Sequence, residues 1–244
     1  MKRHLQLLVL LFVIAFLFLP RAFAVINGTR QLDSLFPEVV RLQSRKTLCT
    51  ATIIGPRVIL SAAHCASPRG ASFVYGGERY RVKYVMSRLY SSKGHDISVG
   101  LVDRVIKNAV YAHVPALRNS PLAIGGAIHL AGFGCTKKSG VGAGKLRVGS
   151  THVFGLDDEN FVSIGGGAVC FGDSGGPTFV RKNGQRHLVG VNSRGNIRNI
   201  SIGVRVDSDS SHQFFQKVAK RFKVAICGVN EDCADVVPVA GPKG

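Results

Sequence analysis

The sequence predicts an all-β protein closed by one C-terminal helix. Between Thr47 and Val206 the chain is a succession of short apolar or alternating stretches, rich in Val and Ile and broken by glycine. That is the pattern of closely spaced strands. Its 29 glycines suit many tight turns. A single segment, after Ser208, changes to a helical period. On these grounds the architecture is a barrel or a sandwich.

The amino end is a separate element. Lys2 and Arg3 precede an unbroken apolar run from Leu7 to Leu19, and Ala22-Phe23-Ala24 is a small-x-small cleavage site. This predicts a secretory signal peptide over residues 1–24. The run falls short of the roughly 20 residues of a membrane-spanning helix, and no later segment is long and apolar enough to span. The mature chain is expected to be exported and to begin at Val25.

Removing Lys2, Arg3 and Arg21 leaves 29 basic against 14 acidic residues, a net charge of +15. Such an excess favours weak association with anionic surfaces and specifies no fold. The basic residues are scattered, with no run of five and no basic-aromatic repeat, so a dedicated nucleic-acid role is not predicted. Six cysteines in an exported chain predict three disulfides. Cys227 and Cys233, six apart, most simply close a small loop. The other four are left open by spacing alone.

The strand candidates run through "ATIIGPRVIL", "SFVYGGERYRVKYV", "DISVGLV", "AIHLAGFG", "KLRVGSTHV", "PTFV" and "HLVGVNS". In the helix, Ser208 or Ser210 is the candidate cap, and Phe214, Phe215, Val218, Ala219 and Phe222 share one face. Lys220, Arg221 and Lys223 suit the negative end of its dipole. "ADVVPVAGPKG" reads as a loose tail.

Chemistry concentrates in three places. "CFGDSGGP", Cys170 to Pro177, sets a serine between glycines. A serine nucleophile needs a base to take its proton and backbone N–H groups aimed at the oxyanion. "LSAAHC", Leu60 to Cys65, offers a histidine at a strand end, and "GHDISVGLV", Gly94 to Val102, an aspartate at the start of another. The chain order His, Asp, Ser is that of the chymotrypsin arrangement and opposes the esterase elbow.

On "LSAAHC" and "GDSGGP" together, the chain resembles the trypsin/chymotrypsin-type serine proteases from Val25 to about Phe222. The resemblance implies two six-stranded β-barrels with the active site between them. It divides the chain into a peptidase domain over 25–223 and a disulfide loop with a flexible tail over 224–244. Within the domain, the first barrel takes about 25–110, the second about 111–207 and the helix about 209–223.

It implies His64 as general base, Asp96 as its orienting carboxylate, Ser174 as nucleophile, and the N–H groups of Gly172 and Ser174 as oxyanion hole. His95, beside Asp96, is read as an ordinary loop residue. Val25 matches the family's freshly cut terminus, whose ammonium pairs with the aspartate before the nucleophile, here Asp173. With Val25 directly after the signal site, one cut is expected both to export and to activate.

The resemblance also assigns the substrate pocket. It gives Ala168 as the base, Ser193 as a residue holding the aspartate, Gly195 as an open wall, and Gly203 as a further pocket residue. Without a carboxylate at Ala168, Lys/Arg specificity is not expected and an apolar P1 is favoured. Arg194 and Arg205 support a rival preference for acidic P1. Cys49 and Cys65 match the family's histidine-loop disulfide. Cys170 lacks its family partner after Gly195, which leaves Cys135.

No metal motif is present, and Glu78 is the lone acid between His64 and Asp96; no cofactor or metal is called for. Short loops between the triad positions resemble compact microbial members. The reading is a monomeric secreted endopeptidase acting on protein or peptide substrates, extracellular or periplasmic. The alternative is a cationic binding protein on a protease scaffold.

Overall fold

The computed structural model describes residues 25–45, 47–87, 89–90, 94–115 and 120–233. The expected signal peptide and most of the expected tail, residues 234–244, lie outside them. Among the described residues, thirteen strands and one α-helix make two closed six-stranded antiparallel barrels, as the resemblance implies.

The first barrel runs β2 (Val39–Gln43), β3 (Leu48–Gly55), β4 (Val58–Ser61), β7 (Ser98–Val102), β6 (Glu78–Met86) and β5 (Ala71–Tyr75), closed by Gln43 opposite Ser72. The second runs β8 (Ala127–Gly132), β9 (Arg147–Leu156), β10 (Asn160–Ile164), β13 (Ile200–Arg205), β12 (Gln185–Gly195) and β11 (Pro177–Lys182), which returns to β8.

Alternation sets each register. Along β9, residues 147, 149, 151 and 153 are buried, while Ser150, His152 and Phe154 are exposed, because successive side chains face opposite sides of a sheet. β3 departs from this and is buried from Cys49 to Gly55. One of its faces fills the first barrel. The other is covered by later chain: Thr50 N donates to Ser174 O at 2.8 Å, and Cys227 N donates to Ile54 O at 2.8 Å.

The shortest strand, β1 (Thr29–Arg30), pairs with β9 through Thr29–Val148 and Arg30–Arg147. The expected first-barrel span of 25–110 is thus corrected at its amino end, because these residues dock on the second barrel. Asp209–Phe222 forms α1, capped by Ser208, whose hydroxyl accepts from Ser211 N. Phe215, Val218 and Ala219 are buried as expected, but Phe222 is 37% exposed. It is the last residue of the helix, with the Arg221 guanidinium 5.3 Å from its ring centroid.

A charged clasp joins the barrels. Arg186 of β12 makes hydrogen bonds of 2.9 and 3.1 Å to Glu38 Oε1 and of 3.2 Å to Oε2. Both side chains are at most 9% exposed. The guanidinium also lies 4.3 Å from the Phe36 ring centroid, an arrangement that suits its planar delocalised cation. No helix among the described residues is long and apolar enough to cross a membrane.

Candidate active site

His64 sits on a one-turn 3₁₀ helix, Ala63–Cys65, directly after β4. The Cys49–Cys65 disulfide ties that turn back to β3. Asp96 lies just before β7 and is 3% exposed. It receives His64 N on Oδ1 at 2.9 Å and contacts His64 Nδ1 through Oδ2 at 2.6 Å. Ser193 Oγ donates to the same Oδ2 at 2.5 Å. Burial alone would raise the Asp96 carboxyl, but the His64 and Ser193 hydrogen bonds outweigh it and hold it below the ordinary value. With Nδ1 facing a carboxylate, His64 is left with Nε2 as its proton-accepting nitrogen.

Ser174 comes from the second barrel, on the loop between β10 and β11. The Cys135–Cys170 disulfide fastens one end of that loop. Thr50 of the first barrel holds its middle, donating N–H to Ser174 O and Oγ1 to Gly172 O, each at 2.8 Å. The Ser174 hydroxyl donates to Ser193 O at 3.4 Å, long enough that rotation about one bond toward His64 gives up little. His64, Asp96, Ser174 and Ser193 line a single cleft of about 480 Å³ between the barrels.

Two amides of the Ser174 loop have a fixed sense. Phe171 O accepts from Cys135 N at 2.9 Å, and Asp173 O accepts from Gly176 N at 3.0 Å. In a trans peptide the N–H points opposite its own carbonyl. The amides of Gly172 and Ser174 therefore point away from these acceptors, and neither donates to a protein acceptor among the described residues. Gly172 is at φ +100°, a dihedral that a side chain would strain.

Asp173 is fully buried. Gly134 N donates to its Oδ1 at 2.7 Å and Cys170 N to its Oδ2 at 2.8 Å. Gly134 has to be glycine, since a Cβ there would meet the Asp173 carboxyl carbon at 2.5 Å. Burial pushes the Asp173 carboxyl up to about 7, against the opposing effect of those two N–H groups and of the Arg147 charge. Val25 is also fully buried, packed among residues that include Ile128, Leu130, Phe161 and Val169. Next to it, Ile26 and Ala168 exchange backbone hydrogen bonds of 2.8 and 3.0 Å.

The pocket expectations divide. Ser193 and Gly195 line the cleft. Ala168 and Gly203, expected beside them, do not. Ala168 is fully buried and tied to Ile26, and a Cβ on Gly203 would run into the Phe161 ring. In their place Val169 lies against Gly195, where a Cβ would meet its Cγ2 at 2.9 Å.

Arg205 points away from the cleft. It grips Asp207 at 2.9 and 3.1 Å and Asp157 O at 2.8 Å. His95 is not an ordinary loop residue but fully buried. Its Nδ1 is 2.7 Å from Ser87 Oγ, and its Nε2 is 2.9 Å from Ser211 Oγ and 3.3 Å from Glu159 Oε2. It links the first barrel to α1 and the second barrel. Thr50, which holds the nucleophile loop, has no sequence signal beyond following Cys49, because its role exists only once the barrels dock. Among the described residues no group of three or more His, Cys, Asp or Glu side chains is placed to hold a metal ion.

The family model described as Trypsin matches residues 25–215. The chain belongs to the trypsin family. It is a serine endopeptidase, a hydrolase. Among its trypsin-family relatives, "Trypsin Tyr p 3.0101" of Tyrophagus putrescentiae is 31% identical over 209 residues, covering 70% of this chain and 71% of that protein. "Trypsin" of Simulium vittatum is 27% identical over 212 residues, covering 70% and 82%. "Serine protease SP24D" of Anopheles gambiae is 24% identical over 193 residues, covering 68% and 70%.

Proposed function

We propose that this trypsin-family chain is an exported endopeptidase that cleaves peptide bonds through an acyl-enzyme on Ser174. The observation that carries this is the 2.6 Å contact of His64 Nδ1 with buried Asp96, in the same cleft as Ser174. Ser174 Oγ attacks the scissile carbonyl carbon while His64 Nε2 takes its proton. The negative oxygen is held by the amides of Gly172 and Ser174, whose direction away from internal acceptors supports this role. The C–N bond then breaks and the amine leaves with the proton from His64. Water, deprotonated by His64, cleaves the ester to release the acid and restore the serine.

The P1 side chain is apolar and small. In support, Val169 narrows the cleft against Gly195, and Arg205 is committed to Asp207, which removes the main argument for an acidic P1. Ala168 and Gly203 act behind the pocket wall and not on substrate.

Activation pairs the Val25 ammonium with Asp173. Three features support it: the carboxylate is buried with no ion pair among the described residues, Val25 is buried, and Ile26 is bridged to Ala168. Val25 is also at φ +40°, uncommon for a β-branched residue, and that dihedral ceases to exist in a chain that begins at Val25. Cleavage after Ala24 by the export machinery is then the activating cut. The disulfides support an oxidising, extracytoplasmic location.

A fluorophosphonate probe tests the chemistry. Protein beginning at Val25 is expected to label, and the Ser174→Ala variant is not. Equal labelling of both, or of neither, overturns the reading.

A further inference from the structure

β12 pairs with β11 only as far as Val191, opposite Pro177, while its pairing with β13 continues to Gly195. Asn192 closes that side by bonding the Gly175–Gly176 backbone. Ser193, Arg194 and Gly195 therefore present one strand edge that no described strand occupies, directly beside Ser174. An extended peptide delivering its carbonyl to Ser174 can add along this edge. Resting on the protease reading above, this sets P1 opposite Ser193, P2 opposite Arg194 and P3 opposite Gly195.

Side chains directly opposite one another share a face, and diagonal neighbours two residues on share it too. P2 and P4 therefore lie on the Arg194 side, and P1 and P3 on the other.

Arg194 is exposed and lines the cleft. Its guanidinium makes no hydrogen bond or ion pair among the described residues, whereas Arg186, Arg205 and Arg104 are each tied to carboxylates. The one carboxylate lining the cleft among the described residues, Asp96, is 3% exposed and occupied by His64 and Ser193. Val169, Phe171 and Ile197, which share the cleft wall, carry no charge. A planar cation at the rim of an apolar cleft matches a carboxylate bidentately.

We propose that Arg194 determines specificity beyond P1 by selecting substrates with a glutamate or aspartate on its face of the bound strand, at P2 or P4. Apolar P1 and acidic P2 or P4 together define the substrate class.

Quenched peptides with Val at P1 and Glu or Gln exchanged singly at P2, P3 and P4 test this on protein beginning at Val25. The expected result is a Glu preference of about two- to fivefold in kcat/KM at P2 or P4, none at P3, and a decline of the preference in high salt. Arg194→Gln brings the Glu/Gln ratio to about one, and Arg194→Glu turns the preference toward Lys. Using ratios cancels any general loss in the variants. The same ratio, read as binding affinity in the Ser174→Ala protein, does not depend on catalysis, so failed chemistry does not hide it. Equal handling of Glu and Gln at both positions, or a preference that survives Arg194→Gln, overturns the proposal.

Discussion

Ser193 donates its hydroxyl to the same Asp96 oxygen that meets His64 Nδ1. The first barrel supplies the histidine and the aspartate, and the second supplies the hydroxyl that completes the carboxylate's shell. Removing that hydroxyl as Ser193→Ala should raise the Asp96 carboxyl and loosen the imidazole without touching Ser174. One charge-assisted hydrogen bond corresponds to roughly 10- to 100-fold in kcat. Steady-state kinetics checks it, and an unchanged kcat would rule out this role for Ser193.

Asp96→Asn should be far more damaging. The amide favours the wrong His64 tautomer, and kcat should fall on the order of 10⁴-fold, the magnitude known for a trypsin-type triad and adopted here. Fluorophosphonate labelling of Ser174 should slow in parallel. Labelling at the wild-type rate would count against the Asp96–His64 pairing as the source of nucleophilicity.

An uncut extension before Val25 should leave Asp173 without its proposed ammonium partner. The folded-state value of about 7 is then raised above an ordinary aspartate. Between roughly pH 4 and 7 the native state of the extended chain binds more protons than the unfolded state, so its stability falls as pH rises through that window. Chemical denaturation across this range should show that slope in the extended chain and not in protein beginning at Val25. The extended chain should also turn over substrate poorly.

His95 titrates the other way. Burial lowers it, with Glu159 and Asp96 opposing. Because its folded value lies below the unfolded one, its contribution is intact above about pH 6.5 and is lost as pH falls below that. Replacing it with Gln, which keeps hydrogen-bonding capacity, should flatten the acid side of the stability profile.

Arg186→Met should strand Glu38, which is 4% exposed. Breaking a buried pair from one side costs about 3–5 kcal/mol, which corresponds to a Tm lowered by about 10 °C in a domain of this size. The double variant Arg186→Met with Glu38→Leu should recover most of it. Calorimetry of both decides.

The strand pattern made an all-β chain legible, and the motifs around His64, Asp96 and Ser174 carried the resemblance that implied two barrels and the three residues that line one cleft, because alternation and short motifs are local properties of a chain. The burial of His95 is not legible for the opposite reason. Its partners, Ser87, Ser211 and Glu159, are scattered over the sequence and meet only when both barrels and α1 dock. Ala168 and Gly203 carry the same lesson. Their positions in the chain match those of pocket residues, but Ala168 is buried against Ile26 and Gly203 packs against the Phe161 ring. Thr50 and the Glu38–Arg186 clasp leave no local trace either, since neither the spacing nor the type of these residues sets them apart from surface neighbours.

The seating of residues 25–30 has a consequence for the order of assembly. The first part of the described chain to leave the ribosome is among the last to find its place. Ile26 has no partner until Ala168 exists, and β1 none until β9 is folded. Contacts this distant in sequence form late. A chain interrupted before β9 could fold the half that carries His64 and Asp96, yet it would have neither β9 nor Ala168 to receive its own amino end. Seating of the amino end thus reports that the chain has been made at least as far as Ala168, past His64 and Asp96 and within a few residues of Ser174.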